Sequence, residues 1–173
     1  ICLLLPGLAV ADEFRVSGLS AQRQGDFFTM QAEVIYDFPK RPLEALQNGV
    51  PLTLEVHVQL RRKGAWIWEN DLLDIRLRYQ IRYHALASIY QVIDMQSGSE
   101  EDFVTLQSAL AALGEIPEFP LINAERLETG ARYLLSLEAK LDIEALPLPL
   151  RSMAYITPSW NLSSERKQWL LEP

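Results

Sequence analysis

The densest run of chemistry-bearing side chains is Asp74-x-Arg76-x-Arg78-x-Gln80-x-Arg82-x-His84. Two-residue spacing on an extended chain turns all of them to one side. A row of guanidinium groups there could hold an anionic ligand or an acidic partner surface. The competing outcome is pairing with carboxylates of the neighbouring strand, where each exposed pair is worth about 1 kcal/mol or less. His57 stands on the polar side of the preceding segment beside Glu55 and Gln59. His57 and His84 are the only histidines, too few for a zinc centre that needs three or four convergent ligands. Both are expected on solvated faces.

Glu100, Glu101 and Asp102 are adjacent carboxylates. On one helical turn they diverge, which suits a helix dipole better than a metal ion. Trp66 and Trp68 are two residues apart and point the same way on an extended backbone, forming either an aromatic contact platform or a lid over the end of a core. The sequence has no G-x-S-x-G, no H-E-x-x-H and no glycine-rich phosphate loop. No cofactor is implied and no catalytic residue can be nominated.

Strands must position these residues. Leu52 to Arg61 alternates aliphatic and polar residues, Leu73 to Tyr83 does the same, and the pattern returns from Tyr133 to Ile143. Shorter strands are expected over 14–20, 27–37, 89–95 and 118–125, the last confined to a sheet edge by Pro117 and Pro120. Gly25-Asp26 reads as the turn between the first two. A hairpin symmetric about Ile67-Trp68 would put Arg61 opposite Asp74, Gln59 opposite Arg76 and His57 opposite Arg78. Two helices are expected. One has Pro42 at its first position and ends at Asn48-Gly49; the other runs from a Ser99 cap to Leu113. Its stripe of Phe103, Leu106, Leu110 and Leu113 would pack on the sheet.

Six or seven antiparallel strands with one-sided burial predict a two-layer β-sandwich of the immunoglobulin-like class with one or two short helices. A lipocalin-like barrel is the alternative.

Residues 1–11 are apolar and end in Ala9-Val10-Ala11, the small-residue pattern of a signal-peptidase site, with Pro6-Gly7 just upstream. The numbering is expected to begin inside a longer precursor that is cleaved after Ala11. Cys2, the only cysteine, would leave with that segment, so the mature chain would rely on its core rather than on a disulfide. Residues 12–173 are expected to form a single β-rich domain with a tail from about 158 that either docks on the sheet or projects. The formal charge is −7, which gives no long-range attraction to phosphate backbones. Nucleic acid and a membrane span in the mature form are not expected.

Several segments stand out in order: Asn48-Gly49-Val50-Pro51-Leu52, Trp66-Ile67-Trp68, Arg78 to Leu86 followed by Tyr90-Gln91-Val92, Leu106 to Leu113, Gly130-Ala131-Arg132-Tyr133, and Ser159-Trp160-Asn161-Leu162. Together they resemble domain-of-unknown-function family 4390, a group of exported proteobacterial proteins. The resemblance implies a periplasmic location and, by gene neighbourhood, an accessory role beside a membrane sensor histidine kinase. It transfers no catalytic residue. The expected function is a non-catalytic periplasmic interaction module with an envelope protein as partner. It would present Arg76, Arg78, Arg82, His84 and His57, a sheet edge, or the Trp66-Trp68 pair. The alternatives are a small-molecule carrier with a pocket between its sheets and a hydrolase using two carboxylates about 5–10 Å apart.

Overall fold

The computed structural model describes residues 14–64 and 71–173; the expected cleavage segment lies outside the described residues. The described chain is mostly β, with nine strands in two antiparallel sheets packed in a sandwich-like arrangement. β1 (Arg15–Gln24) and β2 (Phe27–Ile35) form a hairpin through Gly25, whose φ of 59° suits a residue without a side chain. β7 (Glu115–Asn123) completes this small sheet in the order β1-β2-β7. As its prolines require, β7 lies at the edge.

The large sheet is built on β3 (Leu52–Arg62), β4 (Leu73–His84), β5 (Ile89–Asp94), β6 (Glu100–Phe103), β8 (Tyr133–Leu141) and β9 (Lys167–Leu171). Its order is β6-β5-β4-β3-β8-β9, and it does not close into a barrel. β3 and β8 are interior strands whose aliphatic sides are continuous: Leu52, Leu54, Val56, Val58 and Leu60 are completely buried, as are Leu135, Leu137 and Ala139. Phe28, Met30, Ala32 and Val34 of β2 belong to the same core from the opposite sheet. Each large aliphatic side chain so buried contributes about 1.5–3 kcal/mol.

α1 (Lys40–Gln47) begins two residues earlier than expected, with Pro39 as its N-cap and Pro42 at the third helical position. That displacement costs no hydrogen bond, since the first four amides of a helix have no internal partner. The helix ends as the sequence indicates. Gly49 has φ 84°, its amide donates to the Leu46 carbonyl at 2.9 Å, and the Val50 amide donates to Ala45 at 3.0 Å. These are the two bonds of a Schellman motif.

The expected helix from Ser99 is overturned in its first half. Asp94 accepts from the Gln96 amide and the Ser97 hydroxyl, and Gly98 at φ 75° closes a tight turn. This turn folds Glu100, Glu101 and Asp102 back onto β5 as the edge strand β6. The helix itself, α2 (Leu106–Gly114), starts at a Thr105 cap whose hydroxyl accepts from the Ser108 amide at 3.1 Å. The three carboxylates therefore serve no helix dipole; they charge a strand edge, which discourages pairing with another chain.

The tail docks. After α3 (Leu148–Ile156), Trp160 and Leu162 are buried, Ser164 exchanges hydrogen bonds with the Ala139 backbone, and β9 pairs with β8. Neither α3 nor β9 was anticipated.

Candidate functional site

The outer side of the large sheet carries every arginine and histidine singled out above. Arg76, Arg78, Arg82 and His84 alternate along β4, and His57 lies directly opposite Arg76. The register differs from the expected one by two residues, with Gln59 opposite Asp74 and Glu55 opposite Arg78. A shift by an even number keeps every side chain on its face. Asp71 fixes this register, accepting from Arg61 Nε at 2.7 Å and from Gln59 at 3.0 Å.

The face is largely matched within itself. Glu55, buried, receives Arg76 and Lys140 at 3.2 Å each. Arg78 pairs with the buried Asp142, and Arg166 with Glu138 at 3.1 Å. His57 Nε2 meets Asp74 at 2.7 Å. The hydrogen bond from His57 is the chief reason the Asp74 carboxyl is held below the usual aspartate range, against a smaller opposing effect of desolvation. Arg82 differs: its Nε donates to Gln80 at 2.7 Å, and no carboxylate pairs with it among the described residues. His84 contacts Gln91 at 3.2 Å. Arg76 and Arg78 thus already hold anions supplied by this chain. Trp66 and Trp68 lie outside the described residues.

A second surface emerges where α2 meets the small sheet. β2 pairs with β7 only as far as Glu33 opposite Glu115; beyond that point the C-terminal end of α2 approaches the β2 backbone. Along β2, Phe28, Met30, Ala32 and Val34 face the core, leaving Gln31, Glu33 and Ile35 on the outside. Together with α2 they border a groove of about 1180 Å³. Its apolar lining includes Ile35 and the half-buried Leu106 and Leu110; among the described residues its charged lining is Glu33 and Glu115. On the other side of α2 a smaller depression of about 440 Å³ is lined by Asp94, Glu101 and Glu115.

None of these groove residues was nominated from sequence except the leucines of α2, read there only as packing. The available signal was Ile35, an aliphatic residue on the polar parity of β2. No group of three or more His, Cys, Asp or Glu side chains is disposed to hold a metal ion among the described residues. Nor is any described helix long and apolar enough to cross a membrane.

The family model described as "Domain of unknown function (DUF4390)" matches residues 11–170. The chain belongs to DUF4390. Comparison with curated proteins and with solved structures yields no match. Two segments that make this DUF4390 chain recognisable have different structural roles. Trp160 and Leu162 are buried anchors that hold the tail on β8, so their role is packing. Tyr83 lies against Tyr90 with ring centroids 4.7 Å apart at the end of the β4–β5 hairpin, and Leu86 in its turn is fully exposed.

Proposed function

We propose that this DUF4390 chain is a non-catalytic interaction module of the periplasm that binds an envelope protein as an accessory to a membrane sensor histidine kinase. The observation that carries the reading is the groove beside α2. It is open, borders an apolar strip and has dimensions suited to a segment of chain. Small-molecule pockets usually hold about 300–1,000 Å³, and this groove is larger at about 1180 Å³. Its lining takes in the outward-facing Gln31, Glu33 and Ile35 of β2 as well as the exposed Ala111 of α2, so it can be reached from the surface. The arginine face is a weaker candidate because Arg76 and Arg78 are engaged by Glu55 and Asp142.

Photo-crosslinking in intact cells tests the proposal. A crosslinking residue at the exposed Ala111, in the groove, is expected to give one adduct of discrete mass that digestion assigns to an envelope protein. The same residue at Ser152 of α3, also exposed, serves as the comparison. No adduct from Ala111, or the same adduct from both positions, would overturn the reading. A retained small molecule in native mass spectrometry would replace it with a carrier.

A further inference from the structure

The carboxylates around α2 differ from those on and beside β3, β4 and β8. There Glu55, Asp71, Asp74, Glu138 and Asp142 each have a cationic or histidine partner. Around α2, Asp94, Glu101 and Glu115 form no ion pair among the described residues, and Glu33 accepts only from the Ser17 hydroxyl at 2.6 Å. Glu33 and Glu115 stand directly opposite each other on adjacent strands. Like charges so placed work against sheet stability. Among the described residues, no lysine, arginine or histidine lines either the groove or the depression across the helix. Both sides of α2 therefore present negative charge beside apolar surface, without a counter-ion among the described residues.

The neighbouring backbone limits how a partner could dock. Pro117 and Pro120 remove two amides from β7, its pairing with β2 is twice interrupted, and Glu118 has φ 37°. A strand added along this edge would find an irregular row of donors. Recognition through side chains remains, in which an amphipathic helix lays apolar anchors at i, i+3 and i+4 into a groove.

Resting on the proposed binding role, we infer that the groove between α2 and the outer face of β2 is a docking site for a basic amphipathic helical segment of a partner protein. Its apolar residues sit against Ile35, Leu106 and Leu110. Its lysines or arginines reach Glu33 and Glu115, with Asp94 and Glu101 extending the field past α2.

Fluorescence anisotropy with two labelled 18-residue peptides tests the inference on the purified full chain. One peptide places leucines at helical spacing among lysines; the other has the same leucines among glutamates. The lysine peptide is expected to bind and the glutamate peptide not to. Glu33→Gln with Glu115→Gln weakens the lysine peptide by about tenfold and flattens its salt dependence. Glu128→Gln with Glu144→Gln makes the same change in net charge elsewhere and leaves binding unchanged. On the wild-type chain, amide shifts confined to residues 31–35 and 107–115 locate the peptide even if the double variant folds poorly. Equal binding of both peptides, equal effects of the two double variants, or shifts outside the groove would overturn the inference. So would direct binding to phosphatidylglycerol vesicles through the same residues. Should Ala111 still crosslink to an envelope protein while the lysine peptide shows no preference, the binding role stands and the charge inference falls.

Discussion

Gly114 packs so closely on Val34 that a β-carbon at position 114 would stand 2.0 Å from the Val34 carbonyl oxygen. The obstacle is backbone, which cannot rotate aside as a side chain would. Gly114→Ala must therefore push α2 away from β2, and overpacking of this kind costs about 1–3 kcal/mol. Urea unfolding is expected to show that loss as a lower midpoint with an unchanged slope. Because α2 is also the wall of the groove, the displacement should reduce peptide binding even where the variant remains folded. Wild-type stability in Gly114→Ala would show that α2 sits farther from β2 than described.

Arg78 and Arg82, alike in sequence, are expected to behave differently. Arg78 pairs with the buried Asp142, whereas Arg82 reaches only the Gln80 side chain. Arg78→Ala strands a buried carboxylate and should cost about 1–3 kcal/mol. Arg82→Ala should fall within about 0.5 kcal/mol of wild type, as surface substitutions usually do. Thermal or urea unfolding of the two variants decides this; equal losses would mean that Arg78 contributes no more than a solvated surface cation.

What could be read in advance followed one physical signal. β3, β4 and β8 were legible because each turns an unbroken apolar row to the core and polar residues to the other side, so Leu52 to Leu60 and Tyr133 to Leu141 print a two-residue period directly. β6 was missed because an acidic run before an apolar stripe resembles the start of a helix, while the deciding interaction, Asp94 with the turn at Gly98, lies before the run. α3 and β9 print no clear period. Leu148, Met153, Tyr155 and Ile156 of α3 are exposed, as are Trp169 and Leu170 of β9. The arginine row was legible as a face, but its neutralisation was not, since Asp142 is 64 residues from Arg78. The groove combines β1, β2, α2 and β7, and no single segment announces it.

Asp74 supplies a pH dependence with a definite sign. Its folded pKa lies below the ordinary value of 3.8, chiefly through the hydrogen bond from His57, with Gln59 and the charges of His57 and Arg76 adding to it. The folded state then holds its proton less tightly than the unfolded chain. The associated stability is present above pH 3.8 and is lost as the pH falls through that value toward the folded pKa. The group is largely exposed, so the effect on stability is small and is best followed directly. Carboxyl-carbon NMR is expected to give Asp74 a midpoint below 3.8 that rises toward it in His57→Val. An unmoved midpoint would assign the shift to other neighbours.

The acidic edge of β6 is expected to keep molecules apart. Glu100, Glu101 and Asp102 occupy a four-residue edge strand whose outer backbone groups have no partner strand among the described residues. A second chain pairing there antiparallel would bring like charges into register, which is destabilising for directly opposed residues. Replacing all three with Gln, Gln and Asn keeps size and hydrogen-bonding capacity, including that of Glu100, which accepts from Gln91 at 3.0 Å. Folding stability should change little, since these residues are exposed and cap no helix. Self-association should rise, visible in sedimentation velocity as a concentration-dependent shift to faster species. It should not fall when salt is added, because screening no longer has a repulsion to remove. A triple variant that remains monomeric over the same concentrations would place the protection in the short length of β6 rather than in its charge.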